Sequence, residues 1–142
     1  MGKMKIKFKK LNPNAVIPKR GTAGAAGFDL TAVSLEIFDT TVKYDTGIAV
    51  EIPPGYVGLV FPRSSVCKTG LSLANSVGVI DSDFRGSISF VFYKNKQCIV
   101  PYFPGDRIGQ LVIVPIPEVE YVEVDELSET ERGAGGYGST GK

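Results

Sequence analysis

Histidine and tryptophan are both absent from this chain of 142 residues, and only two cysteines are present. The missing histidine removes the usual general base near neutral pH and the commonest metal ligand. Acid–base chemistry then falls to Asp, Glu, Lys, Tyr or Cys, and any metal is expected to be a hard, oxygen-liking ion such as Mg²⁺. Cys67 and Cys98 are too few and too far apart for a zinc site or a disulfide framework, so both are expected as reduced thiols. No apolar run approaches a membrane span, and the basic start MGKMKIKFKK lacks the apolar stretch of a signal peptide. Gly2 opens no convincing myristoylation signal, because Ile6 stands where Ser or Thr is needed. The protein is expected to stay in the compartment where it is made. A net charge of +1, with no long run of one sign beyond the first lysines, is no footprint of a DNA-binding protein. A small polyanion could still be held by a few Arg, Lys and backbone N–H groups.

What is present reads as strands. An apolar content of 43% in 142 residues implies one domain with its own core. KMKIKFK alternates Lys with Met4, Ile6 and Phe8; GIAVEI sets Ile48, Val50 and Ile52 on one face; SISFVFY does the same with Ile88, Phe90 and Phe92. EVEYVEV alternates through Val119 and Tyr121 and changes phase at Val122 and Val124, which predicts a strand with a bulge or a bend between sheets. NPN, IPPG and FPGD punctuate these runs as turns, the spacing of an all-β sandwich or barrel. Only SSVCKTG and DELSETE could form short helices. From about Glu129 onward the chain is glycine-rich with little to bury, so it is expected to be mobile unless a ligand orders it.

That tail, GAGGYGSTGK, matches two phosphate-binding patterns in form. Gly133, Gly135 and Gly138 fit G-x-G-x-x-G, and Gly136, Gly141 and Lys142 fit the start of a P-loop. Both patterns need a helix behind them to receive the phosphate, and the sequence stops at Lys142, so neither is expected. Five stretches combine Gly, Asp, Arg and Ser in ways that a plain β-core does not require: AGFDL, PRSS, NSVGVIDSDFRG, GDRIGQ and RGAGGYGST. Each alone is weak. Asp29 in GFDL reads equally as a strand-end carboxylate, PRSS as a Pro-initiated turn, and GDRIGQ as a turn entering a strand. The third is harder to dismiss, since Asp81 directly follows Val79 and Ile80 and would be held rigidly on a strand end with apolar neighbours, a setting in which a carboxylate can be tuned.

Taken in order, AGFDL, PRSS, GVIDSDFRG, GDRIGQL and RGAGGYGSTG resemble the five motifs of the trimeric dUTP pyrophosphatases, the dUTPases. The resemblance implies an all-β jelly-roll-like sandwich or barrel with at most one or two short helices, assembling as a homotrimer with active sites shared between subunits. It implies a jelly-roll domain over residues 1–128 and a flexible C-terminal lid over residues 129–142. The implied reaction hydrolyses dUTP to dUMP and pyrophosphate, limiting uracil incorporation into DNA and supplying dUMP for dTMP synthesis. Asp81 would be the general base that activates water against the α-phosphorus, and Asp29 would organise Mg²⁺ through bound water. Arg63, Ser64, Ser65 and Gln110 would meet the phosphates, while Asp106 caps a turn and Arg107 pairs with a carboxylate across a subunit contact. The hairpin bearing Asn75, Gly78, Val79 and Ile80 would read uracil through main-chain groups and the Asn75 amide, and the Phe84 ring would lie against deoxyribose. In the tail, Tyr137 would stack on uracil, Gly136, Gly138, Ser139 and Thr140 would line the γ-phosphate, and Arg132 would supply charge as an arginine finger does.

Two positions depart from the family pattern. Phe84 stands where Tyr is usual, keeping the flat ring and losing the phenol; Ser65 stands where Gly is frequent, which raises a question about backbone geometry there. The implied location is cytoplasmic, or the host cytoplasm or nucleus for a viral or phage gene, with no stable nucleic-acid or membrane partner. A jelly-roll dCTP deaminase would need a catalytic Glu in the pocket, and DSDFRGSISF carries none through Phe92. A non-enzymatic nucleotide sensor would not need Asp81, Asp29 and the whole tail.

Overall fold

The alternating apolar residues of the central segments turn inward. Ile48, Val50 and Ile52 are buried, as are Ile88, Phe90 and Phe92, each at or below 4% exposure. The computed structural model describes residues 2–95 and 100–142, so Cys98 lies outside the described residues. Among them, β1 (Lys7–Lys10) pairs with β5 (Ile48–Glu51). A four-stranded sheet runs in the order β2 (Phe28–Thr31), β10 (Arg107–Pro115), β6 (Tyr56–Phe61) and β8 (Gly78–Ile80). A second runs β3 (Ser34–Ile37), β4 (Thr41–Asp45), β9 (Ser89–Lys94) and β7 (Leu71–Leu73). Every pairing is antiparallel. The all-β expectation holds.

The core joins the sheets through large side chains. Tyr44 meets Phe92 and Tyr102 edge-on, with centroids 5.9 Å apart in both pairs, and Phe90 stacks on Phe92. The Tyr44 hydroxyl donates to the Tyr102 carbonyl at 3.1 Å, so burial leaves its polar tip satisfied. Thr46, fully buried, donates to the Ile88 carbonyl at 2.7 Å and accepts from the Ile48 N–H at 3.3 Å. Each such large apolar side chain contributes about 1.5–3 kcal/mol by leaving water.

Three expectations change. SSVCKTG forms a 3-10 helix over Ser64–Lys68, whereas DELSETE forms none. EVEYVEV is not a strand: among the described residues no strand follows β10, and Val119, Tyr121, Val122 and Val124 are all exposed. Alternation marks a segment with two unlike faces, but a strand also needs an edge to pair with, and in one copy this segment pairs with none of the described strands. The N-terminal alternation is fulfilled at one of its three apolar positions: Ile6 packs against the core, while Met4, ahead of β1, and Phe8, within it, stay exposed. No helix among the described residues is long and apolar enough to cross a membrane.

Candidate active site

The candidate residues fall into three groups, each built by a different part of the fold. The first gathers where β2, β10 and β6 run side by side. Antiparallel register sets Gln110 opposite both Asp29 and Phe61, and the chain leaves β6 through Pro62 directly into Arg63. The Gln110 side-chain amide donates to the Pro62 carbonyl at 3.1 Å, tying the exit of β6 to β10. Gly27 makes this possible. A Cβ there would collide with the Gln110 side-chain amide, so a bare Cα is needed for Gln110 to lie across the chain. The sequence shows Gly27 only as part of AGFDL and gives no local signal that its partner lies in GDRIGQ.

Asp29 sits at the centre of this group with its side chain 19% exposed. Its N–H donates to the Lys19 carbonyl at 2.7 Å, which anchors the edge strand. One carboxylate oxygen lies 3.2 Å from Arg107 Nη1 and the other 3.9 Å from Arg63 Nε. Within one copy Arg107 therefore pairs with the Asp29 carboxylate of its own chain. The cause is the register of β10 on β2, which brings together residues far apart in sequence at a bulge between Arg107 and Gly109. Asp106 does cap its turn, accepting from the Phe103 N–H at 2.8 Å.

Ser64 and Ser65 begin the 3-10 helix, Ser64 exposed and Ser65 half-buried. The helix closes on itself through Val66 N–H to the Arg63 carbonyl at 2.9 Å and Thr69 N–H to the Val66 carbonyl at 2.9 Å. Among the described non-glycine residues only Ser76 and Tyr137 have positive φ. Ser65 thus takes an ordinary backbone conformation, and its replacement of glycine costs nothing there. Cys67, on the same turn, is an exposed free thiol.

The second group is the hairpin from β7 to β8 and the turn that follows. Ser76 carries a left-handed φ of 62°, which reverses the chain between Asn75 and Gly78. A Cβ at Gly78 would run into the Val60 side chain, so glycine lets β8 close onto β6. β8 is the edge of its sheet, bonded to β6 on one side only, and so turns alternate backbone N–H and C=O groups outward. Asp81 follows directly, opening a turn closed by the Phe84 N–H to the Asp81 carbonyl at 3.1 Å. Its carboxylate is exposed, and among the described residues nothing donates to it. Val79 is 61% exposed, so the apolar flank suggested by the sequence is not closed around Asp81 by this chain.

The third group, the tail, is a succession of tight turns. Gly135 N–H donates to the Arg132 carbonyl, Ser139 N–H to the Gly136 carbonyl and Gly141 N–H to the Gly138 carbonyl, all at 3.0–3.2 Å. Tyr137 is fully exposed with φ of 53°, and Gly138 follows at 87°. Thr140 lies exposed in the same run.

One copy does not bring these groups together. Asp29 lies on one edge strand of the sheet and Asp81 beyond the other, with β10 and β6 between. Gln110 and Asp29 align with Phe61, while Ile80 aligns with Gly58. Strand spacing and rise place the two aspartates roughly 20 Å apart. For a metal, the chemistry of the donors is equally telling: among the described residues no group of three or more His, Cys, Asp or Glu could cage an ion, and Asp29 already faces two guanidinium groups.

Comparison with known proteins assigns the family. The dUTPase family model matches residues 13–141. The chain is 44% identical, over 98% of its length and all of the relative's, to the deoxyuridine 5'-triphosphate nucleotidohydrolase of Nautilia profundicola. Its fold matches that of the dUTPase of Staphylococcus bacteriophage 80alpha with dUpNHpp, at a TM-score of 0.82, 29% identity and coverage of 97% of this chain and 99% of that one. It also matches a variant dUTPase of phage phi11 of S. aureus, at a TM-score of 0.73 and 26% identity, covering 87% and 98% of the two chains; that structure is described as revealing how a structural Mg(II) ion is coordinated. With the family model spanning nearly the whole length and the five motifs set on this all-β frame, the chain belongs to the dUTPase family, the dUTP diphosphatases.

Proposed function

We propose that the protein hydrolyses dUTP to dUMP and pyrophosphate by direct attack of water on the α-phosphorus, in a homotrimer whose sites are shared between subunits. The observation that carries this reading is the Asp81 carboxylate, exposed and, among the described residues, free of donors at the end of an edge strand whose backbone is open to a base. Asp81 takes a proton from the attacking water, the new P–O bond forms at the α-phosphorus, and the bond to the bridging oxygen breaks to release pyrophosphate. With no histidine in the chain, a carboxylate is the base at hand.

Uracil presents a fixed row of donors and acceptors, and the outward backbone groups of β8 with the Asn75 amide can match them as a pairing base would. A cytosine ring would reverse one of these groups and strand a buried partner, and the thymine methyl would crowd the hairpin. Phe84 offers deoxyribose a flat apolar face without the phenol of the usual tyrosine. Arg63, Ser64, Ser65 and Gln110 supply donors for the phosphates, and Arg132, Tyr137, Ser139 and Thr140 close over the nucleotide with the backbone of Gly136 and Gly138.

The fit for Mg²⁺ is that of an ion held chiefly by the substrate's own phosphates. Asp29 would reach it through water, and the ion would offset phosphate charge when bound. The roughly 20 Å between Asp29 and Asp81 supports a site built from more than one copy. So do the exposed Val119, Tyr121, Val122 and Leu127, an apolar arm that one copy leaves uncovered. Product dUMP would feed dTMP synthesis, and removal of dUTP would limit uracil in DNA. The test is a panel of dUTP, dCTP, dTTP and UTP with Mg²⁺ and pyrophosphate detection. Rapid turnover of dUTP alone is expected; equal turnover of dCTP or UTP would refute the base and sugar reading.

A further inference from the structure

We propose that Gly86 and Arg85 are positioning residues that together seat the Phe84 ring, and so set how tightly the deoxyribose is held. The proposal rests on the reading of Phe84 given above. A Cβ built at Gly86 would stand 2.6 Å from Phe84 Cζ and 2.9 Å from Cε1, closer than real side chains approach. The ring therefore lies directly on the bare Cα of Gly86. Gly86 is not among the positive-φ residues, so its backbone does not require glycine; the ring does. Phe84 remains 41% exposed, which leaves the face turned away from Gly86 open for a ligand.

Arg85 holds the backbone beneath that ring. Its Nη1 donates to the Ser82 carbonyl at 2.6 Å and to the Phe84 carbonyl at 3.2 Å, gripping the turn that begins at Asp81. Its Nη2 lies 3.6 Å from Glu51 Oε1, and Glu51 Oε2 lies 3.3 Å from Lys7 Nζ. Exposed pairs of this kind contribute little to stability. Their consequence is geometric: the turn carrying Asp81 and Phe84 is braced against the β5–β1 ribbon through one planar guanidinium, whose fork a lysine cannot reproduce.

If both residues act through the ring, their effects must vanish when the ring is gone. The probe is dUMP, its Kd measured by calorimetry on the full chain for Gly86→Ala and Arg85→Lys, each in the parent and in a Phe84→Ala background. Gly86→Ala is expected to weaken dUMP binding about tenfold with Phe84 present and less than about twofold without it, a five- to tenfold coupling of about 1.0–1.4 kcal/mol. Arg85→Lys should show the same dependence on the ring. A ligand-free readout accompanies it: the Gly86 Hα resonances should be shifted upfield by the ring in the parent and return toward ordinary values in Phe84→Ala and Arg85→Lys. Equal losses in both backgrounds, or unshifted Gly86 resonances in the parent, would overturn the proposal. A parent that fails to bind dUMP overturns the functional reading and this inference together; a parent that binds but shows no coupling overturns the inference alone.

Discussion

Asp81→Asn is expected to lower the kcat for dUTP on the order of 10³-fold while leaving dUTP affinity within about threefold. The substitution keeps size and shape at the end of β8 and removes only the ability to accept a proton. Because the side chain is exposed and accepts no hydrogen bond among the described residues, no structural partner is lost with the charge. A loss of that size raises the barrier by about 4 kcal/mol, the scale of a general base withdrawn from an otherwise intact site. Single-turnover kinetics combined with equilibrium binding separate the two quantities. Weak binding with normal turnover at saturation would mean that Asp81 holds the nucleotide and does not activate water.

Removing residues 132–142 is expected to leave the fold intact and to lower kcat at least about 10²-fold. The first half follows from the contacts: the hydrogen bonds of the tail are local turns, from Gly133 to Thr130 through Gly141 to Gly138, and among the described residues none ties it to the sheets. The second half follows from what leaves with it, a guanidinium, two hydroxyls and the backbone N–H groups between them, all donors for phosphate. Circular dichroism and thermal melting of the truncated chain should superimpose on the parent. A truncated chain with full kcat would show that the tail does not close over the nucleotide.

Much of the fold was legible because a half-buried strand must alternate. GIAVEI and SISFVFY bury one face each, and the residues chosen from that rule are among the most buried in the chain. EVEYVEV obeys the same rule yet forms no strand here, since periodicity reports that a face seeks cover and is silent about which edge supplies it. Pairings far apart in sequence were likewise invisible. That Arg107 reaches Asp29, and that Gly27 must be bare so that Gln110 can cross it, depend on the register of β10 against β2, which no local pattern encodes.

The site was legible as motifs and illegible as geometry. The stretches around Asp29, Arg63, Asp81 and Gln110 could be singled out by residue type, but not their division into groups on opposite edges of one sheet. Ser76, left-handed in the hairpin, gave only a weak signal, because Asn and Gly are the usual residues at such a φ. The apolar flank inferred for Asp81 illustrates the same limit: Val79 is apolar and adjacent, yet faces solvent, so adjacency in sequence did not become enclosure.

Isotope placement distinguishes hydrolysis at the α-phosphorus from attack elsewhere on the triphosphate. Turnover of dUTP with Mg²⁺ in ¹⁸O-water, followed by mass spectrometry of both products, should place one heavy oxygen in dUMP and none in pyrophosphate. Label in pyrophosphate, or release of inorganic phosphate and dUDP in place of dUMP, would rule out water attack at the α-phosphorus.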